Sequence, residues 1–500
     1  MQIKKPYMNN SERHIVAIDL GSSKISVTVA KVNGEDVQVI YYKETPSSGI
    51  RYSSIYNDLQ VRKSLEKAIR EAEAELDIKI TQAVVGMPKF PIRQESGNAT
   101  FPERGDNTEI TEEDIDILKR FAQSVFPIDD DSKEAIYGSV AQSFSDGENF
   151  QIIEEDIIGM SSNTLEGDFK IFIGKKGSLN KIDSVMNKIG VVPMRKYFTA
   201  ESNARAVLKD SEMESGVALI DFGGGSTSVS IYQGKIMRHF ASIPFGGKNI
   251  TSDIKSECQI SERLAENIKL EFGACMPDKL LSLSDKILDI RGSGTDSNKQ
   301  LSVKYLSEII TARVEEIIMA ILYEIEKSGF ADSLRSGIVV TGGVAQTANL
   351  ANLISDISGF KVRTGYPKKT FSCEGCDGLA ETSAATAIGL IMSSIHDQTI
   401  NCVTSNEETL PKDETIIEIS QPGDEQEPQG MLFKDEEIEK VESAAPKPKP
   451  IRKDKKAPGL FTRYLNRMTT KIDNIFDILD EDKEQPEIAD NDEEETEEKA

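Results

Sequence analysis

Histidine is scarce in this 500-residue chain: His14, His239 and His396 stand far apart, which excludes a histidine-rich zinc centre. The five cysteines are an odd number in a long chain and do not suggest a disulfide framework. Cys373 and Cys376 form a C-x-x-C with no second pair, so they read as ordinary thiols. No run reaches the ~18 apolar residues of a membrane-spanning helix. The first thirteen residues are polar and lack the apolar centre of a signal peptide, so the chain is expected to stay in the cytoplasm. Gly-x-x-x-x-Gly-Lys-Ser/Thr is absent, which excludes a P-loop by motif. A net charge of -25 argues against a general nucleic-acid binder.

Hydrophobic residues at 38% and charged residues at 29% describe a chain with an ordinary core, and the length is a soft prior for about three domains. The charge is uneven. Residues 401–500 hold 28 acidic and 14 basic residues, more than half of the net charge in one fifth of the chain. Inside that stretch, residues 447–471 reverse the sign, with nine basic residues and one acid, Asp454.

From about residue 14 to 396 apolar strand-like runs alternate with helical patterns, the mark of an α/β chain. Strands are expected at residues 15–19, 25–32, 217–221, 228–232 and 337–341, and helices at 63–76 and 302–328. Two of these regions resemble each other. An apolar strand ends in Asp19, a Gly-Ser-Ser turn follows, then a second strand. Some 200 residues on, a strand ends in Asp221, a Gly-Gly-Gly-Ser turn follows, then a strand again. That spacing is too long for a solenoid repeat and fits two related halves of a two-lobed protein.

Both turns have phosphate-binding chemistry. Gly21, Ser22, Ser23 and Lys24 follow Asp19; Gly223, Gly224, Gly225, Ser226 and Thr227 follow Asp221. Successive backbone N–H groups in such a turn form a nest for anionic oxygens. Three consecutive glycines cost entropy that a plain hairpin does not require, whereas a phosphate lying close to the backbone does require it. Asp19 could hold Mg²⁺ through waters. After the third strand, Gly342, Gly343 and Val344 offer a surface on which a flat ring could lie.

In this order and spacing the segments resemble the actin, Hsp70 and sugar-kinase ATPase superfamily. The resemblance implies ATP and Mg²⁺ as cofactors, with Asp19 and Asp221 toward the metal. It implies Glu266 and Lys269, on the helix after Ser261, at the nucleoside. It also implies two interdomain helices, at 200–207 and 378–389. The first carries Glu201, expected to orient a water at the γ-phosphate. An insertion between residues 81 and 177, read as strand, helix, strand, strand, narrows the resemblance to the FtsA cell-division proteins. Its helix is expected to start at an N-cap, Thr111.

The expected fold is therefore α/β: a two-lobed actin-like ATPase fold with that inserted subdomain. The first lobe takes residues 14–81, 176–210 and 379–396, and the insert 82–175. The second lobe takes 211–245 and 295–378, with a subdomain at 246–294. A disordered linker spans 397–458, an amphipathic helix 459–479 and an acidic tail 480–500. The resemblance further implies a protein that anchors the FtsZ polymer, through its C-terminal tail, to the cytoplasmic face of the membrane at the division site. Such a protein self-associates and meets other division proteins, and its ATP hydrolysis is slow at most. The FtsZ site would lie within 246–294, where no residue can be singled out. The rivals are a pilus-assembly ATPase of the same fold, which would not need this linker and helix, and an Hsp70-like chaperone or sugar kinase. A chaperone would carry a β-rich domain that is absent here.

Prolines at 446, 448 and 450 cannot hold a helix, and about 60 linker residues span on the order of 45 Å as a flexible coil. Beyond them Phe461, Leu465, Met468, Ile472 and Phe476 recur at helical spacing, one apolar stripe on a helix of about 30 Å. A basic run before such a stripe fits an anchor lying in the plane of an anionic membrane surface. Each basic residue near that surface adds about 1 kcal/mol, and each large apolar side chain about 1.5–3 kcal/mol when buried. Phe461→Glu combined with Phe476→Glu is expected to abolish flotation with anionic vesicles, and deletion of residues 480–500 to strengthen it, most at low salt. Unchanged flotation of the double variant would contradict the anchor.

Overall fold

The computed structural model describes residues 12–34, 36–101, 108–283, 285–290, 299–369, 371–373, 376 and 378–405. The linker expected to be disordered from 397 is ordered over its first nine residues: Ile400 and Cys402 are buried, and strand Val403–Ser405 pairs antiparallel with Ile78–Ile80. The rest of the expected linker from 406, the amphipathic helix and the acidic tail lie outside the described residues.

Each lobe is built on one sheet. In the first, the strands run in the order Val192–Tyr197, Gln82–Gly86, Arg13–Leu20, Lys24–Asn33, Asp36–Pro46 and Ser372–Cys373. In the second the order is Val362–Thr364, Ile338–Thr341, Val217–Phe222, Thr227–Gln233 and Ile236–Ile243. Apart from the edge strand Ser372–Cys373 the two plans coincide. Three consecutive strands fold back antiparallel, and two more add in parallel beside the first. Register preserves the correspondence, because Asp19 pairs with Ser26 and Asp221 with Ser228, each one step from its turn. The expected two related halves are therefore present.

The central strands are buried along their length, as their unbroken apolar runs require: Ile15, Val16, Ala17 and Ile18 in one lobe, Val217, Ala218, Leu219 and Ile220 in the other. Helix Asp58–Leu76 covers the first sheet with Val61, Leu65, Ala68, Ile69 and Ala72, spaced three or four apart. Asn57 caps it, accepting the Gln60 N–H. Helix Val303–Lys327 gives the second lobe a longer stripe that includes Ile310, Val314, Ile317, Ile321 and Ile325.

The insert has its own sheet, in the order Ile92–Thr100, Glu166–Lys175, Glu134–Ser145, and its own core around Ile115, Leu118, Phe169 and Ile171. Its helix, Glu112–Val125, starts at Thr111. The Thr111 hydroxyl accepts the Asp114 N–H at 3.2 Å, and the Asp114 carboxylate accepts the Thr111 N–H at 2.9 Å. Two lobe assignments are corrected here. Strand Ser372–Cys373, expected in the second lobe (295–378), pairs in parallel with Asp36–Pro46 in the first. Strand Gln82–Gly86, read as the first strand of the insert, pairs in parallel with Arg13–Leu20 in the first lobe. The first strand of the insert is Ile92–Thr100, a polar segment without the alternation that marks strands in sequence.

The insert also reaches the second lobe. Gln94 accepts the Phe240 N–H at 3.0 Å and donates to His239 Nδ1 at 2.7 Å, while Gln142 donates to the Met237 carbonyl at 3.0 Å. The subdomain expected at 246–294 holds helices Gly247–Cys258 and Glu262–Phe272. Its strand Ile287–Ile290 pairs with Lys299–Ser302, past the expected boundary.

Helices Thr199–Val207 and Ala385–Ser394 cross between the lobes, and Ser202 and Ser393 hydroxyls meet at 3.3 Å. At the crossing a Cβ on Gly389 would run into the Ser202 carbonyl, a backbone atom that cannot rotate aside. Gly389→Ala is therefore expected to lower stability by about 1–3 kcal/mol, read as a drop in melting temperature of the full chain. An unchanged melt would contradict this close crossing.

Candidate functional site

The two Asp-ended strands deliver their turns to one cleft between the lobes, a cavity of about 350 Å³. Asp19, Gly21, Ser22, Ser23 and Lys24 line it from the first lobe. Asp221, Gly223, Gly224, Gly225 and Ser226 line it from the second, together with Glu266, Lys269, Gly342, Gly343 and Val344. Thr227 does not line it. That side chain is buried, and its hydroxyl donates to the Phe245 carbonyl at 2.8 Å, bracing the turn into helix Gly247–Cys258.

Glycine lets the loops approach. A Cβ on Gly224 would overlap Ser23 Oγ, and one on Gly225 would overlap Ser22 Oγ, so residues of opposite lobes meet where side chains would otherwise stand. A Cβ on Gly246 would lie 2.5 Å from the Gly223 carbonyl. Ser53 ties the lobes again: its N–H donates to Ser22 Oγ at 3.0 Å, and its hydroxyl meets Ser226 Oγ at 2.8 Å. Gly342 takes φ 91°, and a Cβ there would press on the Phe222 carbonyl at 2.6 Å. Gly343 faces open space.

One end of the cleft holds Lys269, which donates to Glu266 at 2.7 Å, to the Thr251 hydroxyl at 2.8 Å and to the Gly247 carbonyl at 3.2 Å. The other end holds the two aspartates. Burial pushes the Asp19 carboxyl above the usual carboxylate range, with Lys89 and Lys24 opposing. Asp221 receives the Lys89 ammonium and the Asn203 amide, the latter at 2.7 Å. Lys24 is engaged by Glu44, which also accepts the Ser383 hydroxyl at 3.1 Å. Burial raises Glu44, but Lys24 with the Tyr42 and Ser383 hydroxyls together outweigh it and hold the carboxyl below its ordinary value.

Glu201 is not among the residues that line the cleft. Burial raises its carboxyl, and the charges that oppose this are Arg205 and Lys119, the latter on the helix of the insert. The crossing helix reaches the cleft through Thr199, which lines it, and through Asn203, which donates to Asp221. Lys89, Glu44, Ser53, Thr199, Thr382 and Ser383 are among the cleft-lining residues that sequence reading missed, as is Asn203, which reaches Asp221 from behind the lining. The signal for Lys89 was its place just past the buried strand Gln82–Gly86; Asn203 lay two positions from the residue chosen.

Oxygen donors suited to a hard cation are present. Asp19 and Asp221 face the same space, and Asn203 Oδ1 is buried without a hydrogen-bond partner among the described residues. That set fits Mg²⁺ held largely through its own waters. Among the described residues no group of three or more His, Cys, Asp or Glu forms a denser metal site. Cys373 is exposed, and the Cys376 thiol donates to the Val39 carbonyl at 3.7 Å.

Two like-built lobes sharing a cleft at the ends of their Asp-bearing strands define an actin-like protein. A solved structure titled PilM-PilN type IV pilus biogenesis complex has the same fold, with a TM-score of 0.52 over 76% of this chain and 98% of that one, at 11% identity. The family model described as Cell division protein FtsA matches residues 218–389. Cell division protein FtsA of Neisseria meningitidis serogroup B is 29% identical over 388 residues, 77% of this chain and 91% of that protein. The Bacillus subtilis protein of the same name is 27% identical over 385 residues, 77% of this chain and 84% of its own. The chain is an actin-like relative of the FtsA cell-division proteins.

Glu201 gives a pH prediction. A carboxyl whose folded pKa is raised favours folding below its unfolded value, about 4.3, and that contribution is lost as pH rises through the folded value. Glu201→Gln is therefore expected to gain melting temperature relative to the parent between pH 4 and 8. A difference independent of pH would contradict the enclosed position.

Proposed function

We propose that the chain binds ATP with Mg²⁺ in the interlobe cleft and acts in division as a membrane tether for the FtsZ polymer. The observation that carries the nucleotide reading is the meeting of two Asp-ended glycine turns, one from each lobe, in a single cavity. Gly21, Ser22 and Ser23 on one side and Gly224 and Gly225 on the other would receive the phosphates with backbone N–H groups, while the Gly223 N–H closes its turn on the Ser226 carbonyl at 3.1 Å. Asp19, Asp221 and Asn203 would hold the Mg²⁺, whose charge would offset that of the phosphates. Lys269 and Glu266 would meet the ribose, and the open face at Gly343 would lie under the base.

Hydrolysis is slow at most in this reading, because Glu201 lies outside the cleft lining. The tether rests on the relatives named for cell division and on the stripe that carries Phe461, Leu465, Met468, Ile472 and Phe476. The protein would sit at the division site on the cytoplasmic face of the membrane, self-associate, and bind the FtsZ tail through residues 246–294.

Gly224→Arg is expected to abolish ATP binding by calorimetry, since even its Cβ would overlap Ser23 Oγ and force the two turns apart, with circular dichroism of the variant checking that each lobe stays folded. Unchanged affinity would refute the nucleotide site. Sedimentation of FtsZ with anionic vesicles tests the tether: FtsZ should pellet only when this chain is present. Equal pelleting without it would refute the function.

A further inference from the structure

Neighbouring contacts order the cleft from one end to the other. A Cβ on Gly247 would touch Val344 at 2.9 Å, Lys269 Nζ at 3.6 Å and the Gly224 Cα at 3.8 Å. Gly224 meets Ser23, and a Cβ on the adjacent Gly223 would lie 3.4 Å from Lys89 Nζ. Lys89 in turn reaches Asp221 and influences Asp19. The path runs from the expected nucleoside end, through the glycine turns, to Lys89 at the far end.

Lys89 belongs to the first lobe, and its partner Asp221 to the second. The loop that carries it is pinned on both sides: the Met87 N–H donates to the Tyr197 carbonyl at 2.9 Å, and the Ser54 hydroxyl donates to the Phe90 carbonyl at 3.2 Å. Its side chain is 14% exposed. Among the described residues the other two lysines that line the cleft are committed elsewhere, Lys24 to Glu44 and Lys269 to Glu266 and Thr251. Asp221 does not depend on Lys89 alone, because Asn203 donates to the same oxygen.

We propose that Lys89 is a ligand for the terminal phosphate of a nucleoside triphosphate, parked on Asp221 until that nucleotide enters. The proposal rests on the nucleotide reading above and deepens it. A lysine ammonium is a compact charge on a flexible four-carbon stem, able to re-aim while its backbone stays fixed. A triphosphate extending past Gly223 brings anionic oxygens to that ammonium. Asp221, released, keeps the Asn203 amide and becomes free for the cation that accompanies the nucleotide. A diphosphate ends one phosphate short of Lys89, so the residue separates triphosphate from diphosphate.

The test is calorimetry of the full chain with ATP and with ADP, each with Mg²⁺, for the parent, Lys89→Met and Lys89→Arg. Loss of one charged hydrogen bond should weaken ATP binding of Lys89→Met by about tenfold or more. ADP binding should stay nearly unchanged, and Lys89→Arg should keep most of the preference for ATP. If Lys89→Met fails to melt cooperatively, Lys89→Gln is read in its place with the same expectation. Equal weakening of both nucleotides, or weakening of neither, overturns the role of Lys89 while the nucleotide site stands. If the parent binds neither nucleotide, the nucleotide reading falls and takes this proposal with it.

Discussion

Ser22 and Ser23 stand where side chains at positions 225 and 224 would project. That exclusion is the constraint on which the cleft depends. Two strands from different lobes end in aspartates that share one cavity, and the turns after them come into contact because one turn carries no Cβ. With any larger residue at 224 or 225, the lobes would stand apart and Ser53 would lose its hold on Ser22 and Ser226. Burial pushes the Asp19 carboxyl upward, opposed by Lys89 and Lys24. The architecture thus brings acidic groups together at an enclosed place where cations are needed to compensate them.

The lobes are coupled at more than the cleft. Helices Thr199–Val207 and Ala385–Ser394 cross closely because Gly389 leaves room for the Ser202 backbone. The insert adds a third link through Gln94 and Gln142, whose amides bond to the edge strand Ile236–Ile243. Phe172 of the insert stacks on Phe198 before the crossing helix, and Phe240 of the second lobe meets both edge-on, with ring centroids 4.9 to 6.1 Å apart. Interdomain geometry is set by one close backbone approach at each crossing and by apolar or amide contact between them.

Much of this was legible in the sequence because it is local. An unbroken apolar strand ending in Asp before a turn of small residues is visible twice, and the two sheets share one plan apart from an edge strand. Thr111 was legible as a cap for the same reason. What depends on pairing or on helix phase was not. Strand Gln82–Gly86 is recognisable as a strand, but nothing within it says that it joins Arg13–Leu20 rather than the insert. Strand Ile92–Thr100 reads Ile-Arg-Gln-Glu-Ser-Gly-Asn-Ala-Thr, with no apolar alternation to reveal it. Glu201 was marked by its place at a helix start, yet the residue of that helix that lines the cleft is Thr199, and Asn203 is the one that reaches Asp221. Lys89 meets Asp221 across 132 residues of sequence, a pairing that only the closed arrangement of lobes creates.

The central claim is that three segments remote in sequence form one nucleotide-binding surface. Backbone hydrogen exchange of the full chain, with and without ATP and Mg²⁺, tests it most directly. Slower exchange is predicted together at residues 20–24, 222–227 and 342–347, with the edge of the insert at 134–145 unaffected. Protection confined to one of the three segments, or none on adding nucleotide, would contradict the account.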